Sequence, residues 1–139
     1  MSDMTERGRE ILAAQPFSRL VGAELVHFES GSVEMRLPIT DALKQQNGFA
    51  HGGVVSYLAD NALTFAGGSK FAGPVVTAEM KINYVRPAVG EVLIARAQAI
   101  SSGATQAVAR CDVFVLTAEG EKLCAAAQGT IMALPKRDG

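Results

Sequence analysis

The pattern of hydrophobic and polar positions changes its period several times along the chain, and each change marks a predicted element. Residues 4–14 have the pattern of a short helix, with Ser2 or Thr5 as its N-cap and Pro16 after its end. We expect residues 17–21 to form a turn. A helix and a turn therefore precede the main part of the chain.

Alternation of hydrophobic and polar residues follows, and it predicts strands. It runs over residues 23–28 and 32–38, with Gly31 in the hairpin turn between them. Residues 40–50 are polar and turn-like. This part of the chain is predicted to form one hairpin followed by a loop.

One long helix is predicted from residue 52 to residue 66, and Gly67 and Gly68 are expected to stop it. Successive residues are rotated by about 100° around the helix axis, and this rotation divides them into a hydrophobic half and a polar half. The hydrophobic half consists of Val54, Val55, Leu58, Ala59, Ala62, Leu63, Phe65 and Ala66. The polar half consists of Ser56, Tyr57, Asp60, Asn61 and Thr64. We expect the hydrophobic half to pack on a sheet.

Four more strands are predicted after the helix, at residues 75–85, 91–100, 104–116 and 122–134. The short connections between them favour an antiparallel meander. With the early hairpin, they predict an α+β fold in which one principal helix covers an antiparallel sheet of five to six strands. Residues 135–139 are expected to be a frayed tail.

Composition and charge narrow the class of protein. A net charge of −1 provides no basic surface for a phosphate backbone, so no nucleic-acid partner is expected. The chain has no apolar run typical of a signal peptide or a membrane span, which favours a cytoplasmic protein without a membrane partner. Its 22 Ala and 14 Gly predict close approach of backbones. Cys111 and Cys124 lie in apolar alternating runs and are expected to be buried thiols.

The start of the long helix is the first candidate for chemistry. Residues 45–53 read QQNGFAHGG, and two glycines at a helix start each cost about 1 kcal/mol against alanine. Glycine there allows a substrate to approach the unpaired N–H groups of the first turn, which stabilise an anion or a developing oxyanion. The alternative is structural: His51 caps the helix, and Gly52 and Gly53 relieve crowding.

Asp60 is the second candidate. It lies in the middle of the helix, where aspartate has poor propensity and no capping role. No Lys, Arg or Glu occurs between Val54 and Ser69, so the polar face lacks the charges of a solvent-exposed surface. We therefore expect the helix to be enclosed on both sides and Asp60 to be a functional carboxylate partly withdrawn from water.

The helical geometry separates these two candidates. From His51 to Asp60 the helix advances roughly 13 Å and turns about 180°. One chain therefore does not present both groups to one reacting atom. Either they are unrelated, or a two-fold dimer brings the helix start of one chain to Asp60 of the other.

Residues 51–61 (HGGVVSYLADN) resemble the signature of hotdog-fold thioesterases of the PaaI-like group. Residues 76–87 (VTAEMKINYVRP) and Gly129-Thr130 support the resemblance, which covers nearly the whole chain from Phe17. It implies one hotdog domain over residues 1–139, with an N-terminal extension at residues 1–16. It further implies a dimer or dimer of dimers with active sites at the subunit interface, and hydrolysis of acyl-coenzyme A without a metal or cofactor.

The resemblance also implies roles for individual residues. Asp60 matches the carboxylate that acts as general base or nucleophile, and Gly52 matches the residue whose N–H polarises the thioester carbonyl. Thr77 matches a residue facing the carboxylate. His51 orders the turn, and Gln45 or Asn47 lies near the attacked carbonyl. Substrate-binding candidates are Gly53, Tyr57, Asn61 and Thr64, with Phe65 or Met80 in the acyl pocket and Arg86 near the coenzyme A phosphates.

Two other functions remain open on the sequence. A hotdog hydratase or dehydratase would use a histidine and a carboxylate as an acid/base pair on an enoyl or hydroxyacyl substrate. An acyl-coenzyme A binding protein would not turn its ligand over. Hydrolysis is favoured because His51 lies in the glycine-rich turn and because simple binding gains nothing from an enclosed carboxylate.

Overall fold

A six-stranded antiparallel sheet curves around one long helix in the computed structural model, which describes residues 3–135. The helices are α1 (Asp3–Ala13), α2 (Pro16–Val21) and α3 (Gly52–Gly68), with a short 3₁₀ helix at Asp41–Leu43. The strands are β1 (Glu24–Glu29), β2 (Ser32–Pro38), β3 (Val75–Tyr84), β4 (Val92–Ser102), β5 (Gln106–Thr117) and β6 (Gly120–Ala133). The predicted α+β class and hotdog architecture are confirmed.

The N-terminal segment differs from the prediction at two places. Pro16 begins α2, so the turn predicted for residues 17–21 is wrong; proline at a first helical position has a φ already suited to the helix. Thr5 lies inside α1 rather than at its cap. Its hydroxyl donates to the Phe28 carbonyl (3.2 Å) and accepts the Phe28 N–H (3.1 Å), which ties α1 to β1. Ser2 lies outside the described residues, as do residues 136–139 of the predicted tail.

The strand order is β1-β2-β4-β5-β6-β3, so the predicted four-strand meander is wrong for β3. Strands β4, β5 and β6 do form a meander, but β3 pairs with β6 and β4 pairs with β2. The connection from β3 to β4 crosses three strand spacings, about 14 Å, and residues 85–91 span up to roughly 23 Å when extended. The loop is therefore long enough to connect β4 to β3, which forms one edge of the sheet.

The small side chains lie where α3 meets the sheet. The predicted hydrophobic half of α3 is buried, and Ala59, Ala62 and Ala66 are fully buried in it. Ala95 and Ala97 are buried on the face of β4. The close approach predicted from the alanine content is therefore found between this helix and this sheet.

α3 ends at Gly68, the second of the two predicted stop residues, whereas Gly67 still lies inside the helix. A Cβ at Gly67 would lie 2.8 Å from the Ile131 side chain. Glycine thus permits close packing against β6 here, rather than ending the helix.

Both cysteines are buried and free, as predicted. Burial raises the pKa of Cys111 to about 12 and the pKa of Cys124 to about 11. Both thiols therefore stay protonated at neutral pH and serve as small apolar core groups. Among the helices of residues 3–135, none has the length and hydropathy that crossing a bilayer requires.

Gly129 allows β3 to pack closely on β6. The register of β3 shifts between Thr77 and Glu79, and a Cβ at Gly129 would lie 2.7 Å from the Glu79 carbonyl oxygen and 3.2 Å from the Leu63 side chain. We expect Gly129→Ala to lower the free energy of unfolding by about 1–3 kcal/mol because the backbone of β3 must move. Chemical denaturation tests this, with Gly73→Ala as the control, since a Cβ there meets no atom within 4 Å. Equal stability of the two variants would contradict the packing role of Gly129.

Candidate active site

His51 caps α3. Its backbone is extended (φ −61°, ψ 136°), and the Gly53 N–H donates to the ring Nδ1 at 2.8 Å. A Cβ at Gly53 would lie 2.9 Å from that nitrogen, so glycine is needed for the capping geometry. The structural explanation, capping and steric relief, therefore accounts for His51 and Gly53.

Gly52 differs from Gly53, because the packing of the chain does not require glycine there. A Cβ would make only an ordinary contact, 3.7 Å from the Tyr84 ring. The N–H groups of Gly53 and Val54 bond to His51, whereas the Gly52 N–H has no acceptor within residues 3–135. An exposed first-turn donor at the positive end of a 17-residue helix is suited to a developing negative charge.

The loop before the helix holds the two predicted amide residues. The side-chain oxygen of Gln45 accepts the Asn47 N–H, and the Gln45 N–H donates to the Phe49 carbonyl at 2.9 Å. Gly48 closes the loop with a φ of 89°, in the left-handed region that favours glycine. Gln45 is half-buried and Asn47 is exposed. Which of the two lies nearer the reacting carbonyl stays a prediction.

Asp60 lies in a cluster of hydroxyl groups in the middle of α3. The Thr77 hydroxyl donates to Asp60 Oδ1 at 2.6 Å, and the Thr64 hydroxyl lies 3.5 Å from the same oxygen and 3.0 Å from Thr77 Oγ1. No cation within residues 3–135 pairs with Asp60, and Oδ2 receives no hydrogen bond from them. Thr77 thus orients a half-buried carboxylate whose second oxygen is available as a base.

Tyr57 and Asn61, two other polar residues of the helix face, bond to residues in and next to α2. The hydroxyls of Ser18 and Tyr57 lie 2.5 Å apart, and the Asn61 amide donates to Tyr57 (3.0 Å) and to Gln15 Oε1 (3.0 Å). This network holds α2 over the middle of α3. It satisfies polar groups on a helix face that has no Lys, Arg or Glu, and it gives Tyr57 and Asn61 structural partners. Their predicted contact with substrate stays a prediction.

A cleft of about 340 Å³ adjoins Gly52, and Arg86 lines it, as does the buried Cys124. Tyr84 forms another wall of the cleft, and its hydroxyl donates to the Gly52 carbonyl at 3.3 Å. Sequence reasoning assigned no role to Tyr84. The available signal was its place in the segment Asn83-Tyr84-Val85-Arg86-Pro87, but no spacing rule connects that segment to Gly52.

The two halves of the candidate site lie apart in the chain. Gly52 and Asp60 are separated by eight residues of continuous helix, about 12 Å along the axis. Gly52 contacts Tyr84 at the end of β3, and Asp60 contacts Thr77 near its beginning. Each half of the site therefore lies at a different end of the same edge strand.

Comparison with known proteins identifies the family. The thioesterase superfamily model matches residues 47–123, more than half of the chain. The chain belongs to the thioesterase superfamily. It is 31% identical over 120 residues to the 1,4-dihydroxy-2-naphthoyl-CoA hydrolase of Listeria monocytogenes, covering 84% of this chain and 94% of that protein. The predicted family and enzyme class, a thioester hydrolase, are confirmed.

Solved structures of this family agree with the fold. A thioesterase family protein from Silicibacter pomeroyi has a TM-score of 0.87 at 33% identity, covering 93% of this chain and 96% of that one. The phenylacetic acid degradation protein PaaI from Thermus thermophilus has a TM-score of 0.75 at 30% identity, covering 86% and 100%. The PaaI-like resemblance is thereby confirmed. The thioesterase match includes Gly52, Asp60 and Thr77, whereas α1 and α2 lie before its first residue.

Proposed function

We propose that this thioesterase hydrolyses acyl-coenzyme A esters at two equivalent sites of a homodimer, in which Gly52 of one chain and Asp60 of the other face one thioester. Family membership and the similarity to a naphthoyl-CoA hydrolase support a coenzyme A thioester as the substrate. The proposed partners are thus the substrate and a second copy of the chain.

The observation that carries this proposal is the position of the two half-sites along β3. Strand β3 pairs with β6 on one side, and its other side has no partner within residues 3–135. Val76 and Tyr84 on this strand are 48% and 53% exposed. A ten-residue edge with exposed apolar side chains is suited to pairing with another strand.

Antiparallel pairing of two β3 strands about a two-fold axis brings opposite ends together. The Tyr84 end of one chain then lies beside the Thr77 end of the other. Gly52 accompanies Tyr84 and Asp60 accompanies Thr77, so the N–H donor and the carboxylate meet twice per dimer. A dimer of this kind removes the separation of about 12 Å that α3 imposes within one chain.

The chemistry follows from this arrangement. The thioester carbonyl oxygen accepts the Gly52 N–H, which together with the helix dipole stabilises the negative charge of the tetrahedral intermediate. Asp60 Oδ2 either takes a proton from a water molecule that attacks the carbonyl carbon or attacks that carbon itself. In the first route the C–S bond breaks as the intermediate collapses, and the coenzyme A sulfur takes the proton. In the second route the C–S bond breaks as an acyl–Asp60 anhydride forms, water then hydrolyses the anhydride, and the coenzyme A thiolate takes a proton from that water. The products are a carboxylic acid and coenzyme A.

The flanking residues fit the ends of such a substrate. Arg86 lines the cleft beside Gly52, and its guanidinium is a suitable partner for a phosphate of coenzyme A. Gln45 or Asn47 lies in the loop next to Gly52, and Gly53 leaves the helix start uncrowded. Asn61 and Thr64 lie beside Asp60, on the acyl side, and Tyr57 supports Asn61.

Turnover with a panel of acyl-coenzyme A esters tests the function directly. We expect the purified protein to release free coenzyme A thiol from aliphatic or aromatic members of the panel, measured with a thiol reagent. Hydration of an enoyl-coenzyme A without thiol release would favour the hydratase function instead. Recovery of all ligands unchanged after long incubation would contradict hydrolysis and favour a binding protein.

A further inference from the structure

The two edges of the sheet differ in how their main-chain groups are used. Strand β1 forms one edge and β3 forms the other. Within residues 3–135, no side chain hydrogen-bonds to the main chain of β3. Side chains of α1, in contrast, hydrogen-bond to the main chain of β1. One edge of the sheet is therefore open, whereas a helix covers the other.

Two side chains of α1 make these bonds. Thr5 and Arg9 are four residues apart and thus lie on the same side of the helix. The Thr5 hydroxyl accepts the Phe28 N–H at 3.1 Å and donates to the Phe28 carbonyl at 3.2 Å. Arg9 donates from Nε to the Leu25 carbonyl at 2.9 Å and from Nη2 to the Val26 carbonyl at 3.2 Å. Because Thr5 bonds both main-chain groups of Phe28, these groups point away from β2.

Gly8 permits the close approach that these bonds need. It lies on the buried face of α1 together with Thr5. A Cβ at Gly8 would lie 2.8 Å from the Phe28 ring and 3.0 Å from the Leu25 side chain. Glycine is unfavourable inside a helix, so packing against β1 accounts for it better than helix formation does.

An uncovered edge strand is a template for another strand. Its outward N–H and carbonyl groups form a row that a second chain can pair with, and covering the edge prevents this. Strand β1 has six residues, a usual length for a paired strand, and its Val26 is 38% exposed. Its outward groups at Phe28 are those that Thr5 occupies.

We infer that the outer edge of β1 is a second pairing surface for another copy of this chain, and that Thr5 and Arg9 keep it closed by bonding to it. The partner is the same edge of the second copy, because two identical strands pair antiparallel about a two-fold axis. Closure of β1 directs assembly to β3. The inference rests on the proposed function in this last respect, since pairing through β3 is what completes the proposed sites.

The consequence of opening β1 follows from the strand order. A dimer joined through β3 has a β1 strand at each end of its continuous sheet. Pairing between β1 strands then links one dimer to the next, and no step closes the series. The assembly therefore grows with protein concentration when α1 no longer covers β1.

The molar mass of a Thr5→Val/Arg9→Met variant tests this inference. Both replacements keep much of the side-chain volume but remove the groups that bond to β1. We expect the unmodified protein to keep one molar mass in light scattering once its dimers have formed. The variant should show about double that mass at first and a further rise as its concentration increases.

Hydrogen exchange of the Phe28 N–H locates the growth. At low concentration the variant should exchange this proton roughly tenfold faster than the unmodified protein, because the Thr5 hydroxyl no longer accepts it. At high concentration the exchange should become slow again, because a second β1 strand then pairs with this edge. Growth without renewed protection of β1 would mean association elsewhere and would overturn the inference.

Thr5→Ser/Arg7→Met is the matched control. Serine keeps the hydroxyl, and Arg7 is an exposed arginine of α1 two residues before Arg9. This control should keep the molar mass of the unmodified protein. Equal growth of the control and the test variant would contradict a role for the bonds to β1.

Gly8→Ala opens the edge without removing a polar group. Alanine favours the helix, but its Cβ would press on the Phe28 ring and move α1 away from β1. We expect the same growth with concentration, and this variant decides the question if Thr5→Val/Arg9→Met does not fold. A folded Gly8→Ala protein with rapid exchange at Phe28 and an unchanged molar mass would overturn the inference.

The outcomes separate the two proposals. Absence of thiol release from every ester by the unmodified protein would overturn the proposed function. Thiol release by the unmodified protein, together with an unchanged molar mass in variants whose β1 edge is open, would overturn the inference about β1 and leave hydrolysis standing.

Discussion

Asp60→Asn is expected to lower kcat for acyl-coenzyme A hydrolysis by about 10²- to 10⁴-fold, the usual contribution of a positioned general base. Asparagine has nearly the same size as aspartate, and its Oδ1 still accepts the Thr77 hydroxyl that donates to Asp60 at 2.6 Å. The variant therefore keeps the local structure but has no carboxylate to accept a proton or attack the thioester. Steady-state rates of thiol release with one good substrate measure the effect.

Asp112→Asn is the control for this substitution. Asp112 is also half-buried, but it lies on β5 opposite Arg96, between the buried residues Cys111 and Val113 and thus on the face of the sheet that points away from α3. We expect its kcat to match that of the unmodified protein, and the midpoint of thermal unfolding to be similar for both variants. Near-normal turnover by a folded Asp60→Asn protein would refute the role assigned to this carboxylate.

Two inactive variants are expected to restore activity when mixed. A Cβ at Gly52 makes only an ordinary contact, 3.7 Å from the Tyr84 ring, and the two methyl groups that Gly52→Val adds beyond it should block approach to the N–H. Each of Gly52→Val and Asp60→Asn alone removes one half of every site. Co-refolding equal amounts should give mixed dimers as about half of all dimers, each with one complete site, and thus roughly a quarter of the normal activity.

The reciprocal mixture provides the control. A chain that carries both Gly52→Val and Asp60→Asn is co-refolded with an equal amount of unmodified chain. If sites are shared between chains, the mixed dimers have no complete site, so the mixture should give about a quarter of the activity of an all-unmodified sample. If each chain contains its own complete site, that mixture should give about half. In that case the two single variants should also remain inactive together, which would refute the shared site.

Local sequence patterns were sufficient to predict α3 and the partial burial of Asp60. The hydrophobic period of residues 52–66 correctly predicted the buried face of the helix. The absence of other charges between Val54 and Ser69 correctly indicated a carboxylate that is only partly exposed. These features depend on residues a few positions apart, so the period of the helix relates them directly.

Other features of the site depended on contacts that local pattern does not encode. The resemblance named Thr77 as a residue facing the carboxylate, and only the packed chain gives the bond from its hydroxyl to Asp60 Oδ1. Tyr84 lies against Gly52 although 32 residues separate them. The network of Ser18, Tyr57 and Asn61 likewise joins α2 to α3 across about forty residues. No periodicity links such distant positions.

The sequence by itself thus determined the helix, most strand positions, the buried cysteines and the candidate carboxylate, because these depend on the period of neighbouring side chains. Only the tertiary structure decided that β3 lies at the edge of the sheet beyond β6, since a loop of seven residues allows several strand orders. That position leaves one side of β3 open within residues 3–135 and places Gly52 and Asp60 at its opposite ends. The case for an active site shared between two chains depends on this long-range pairing.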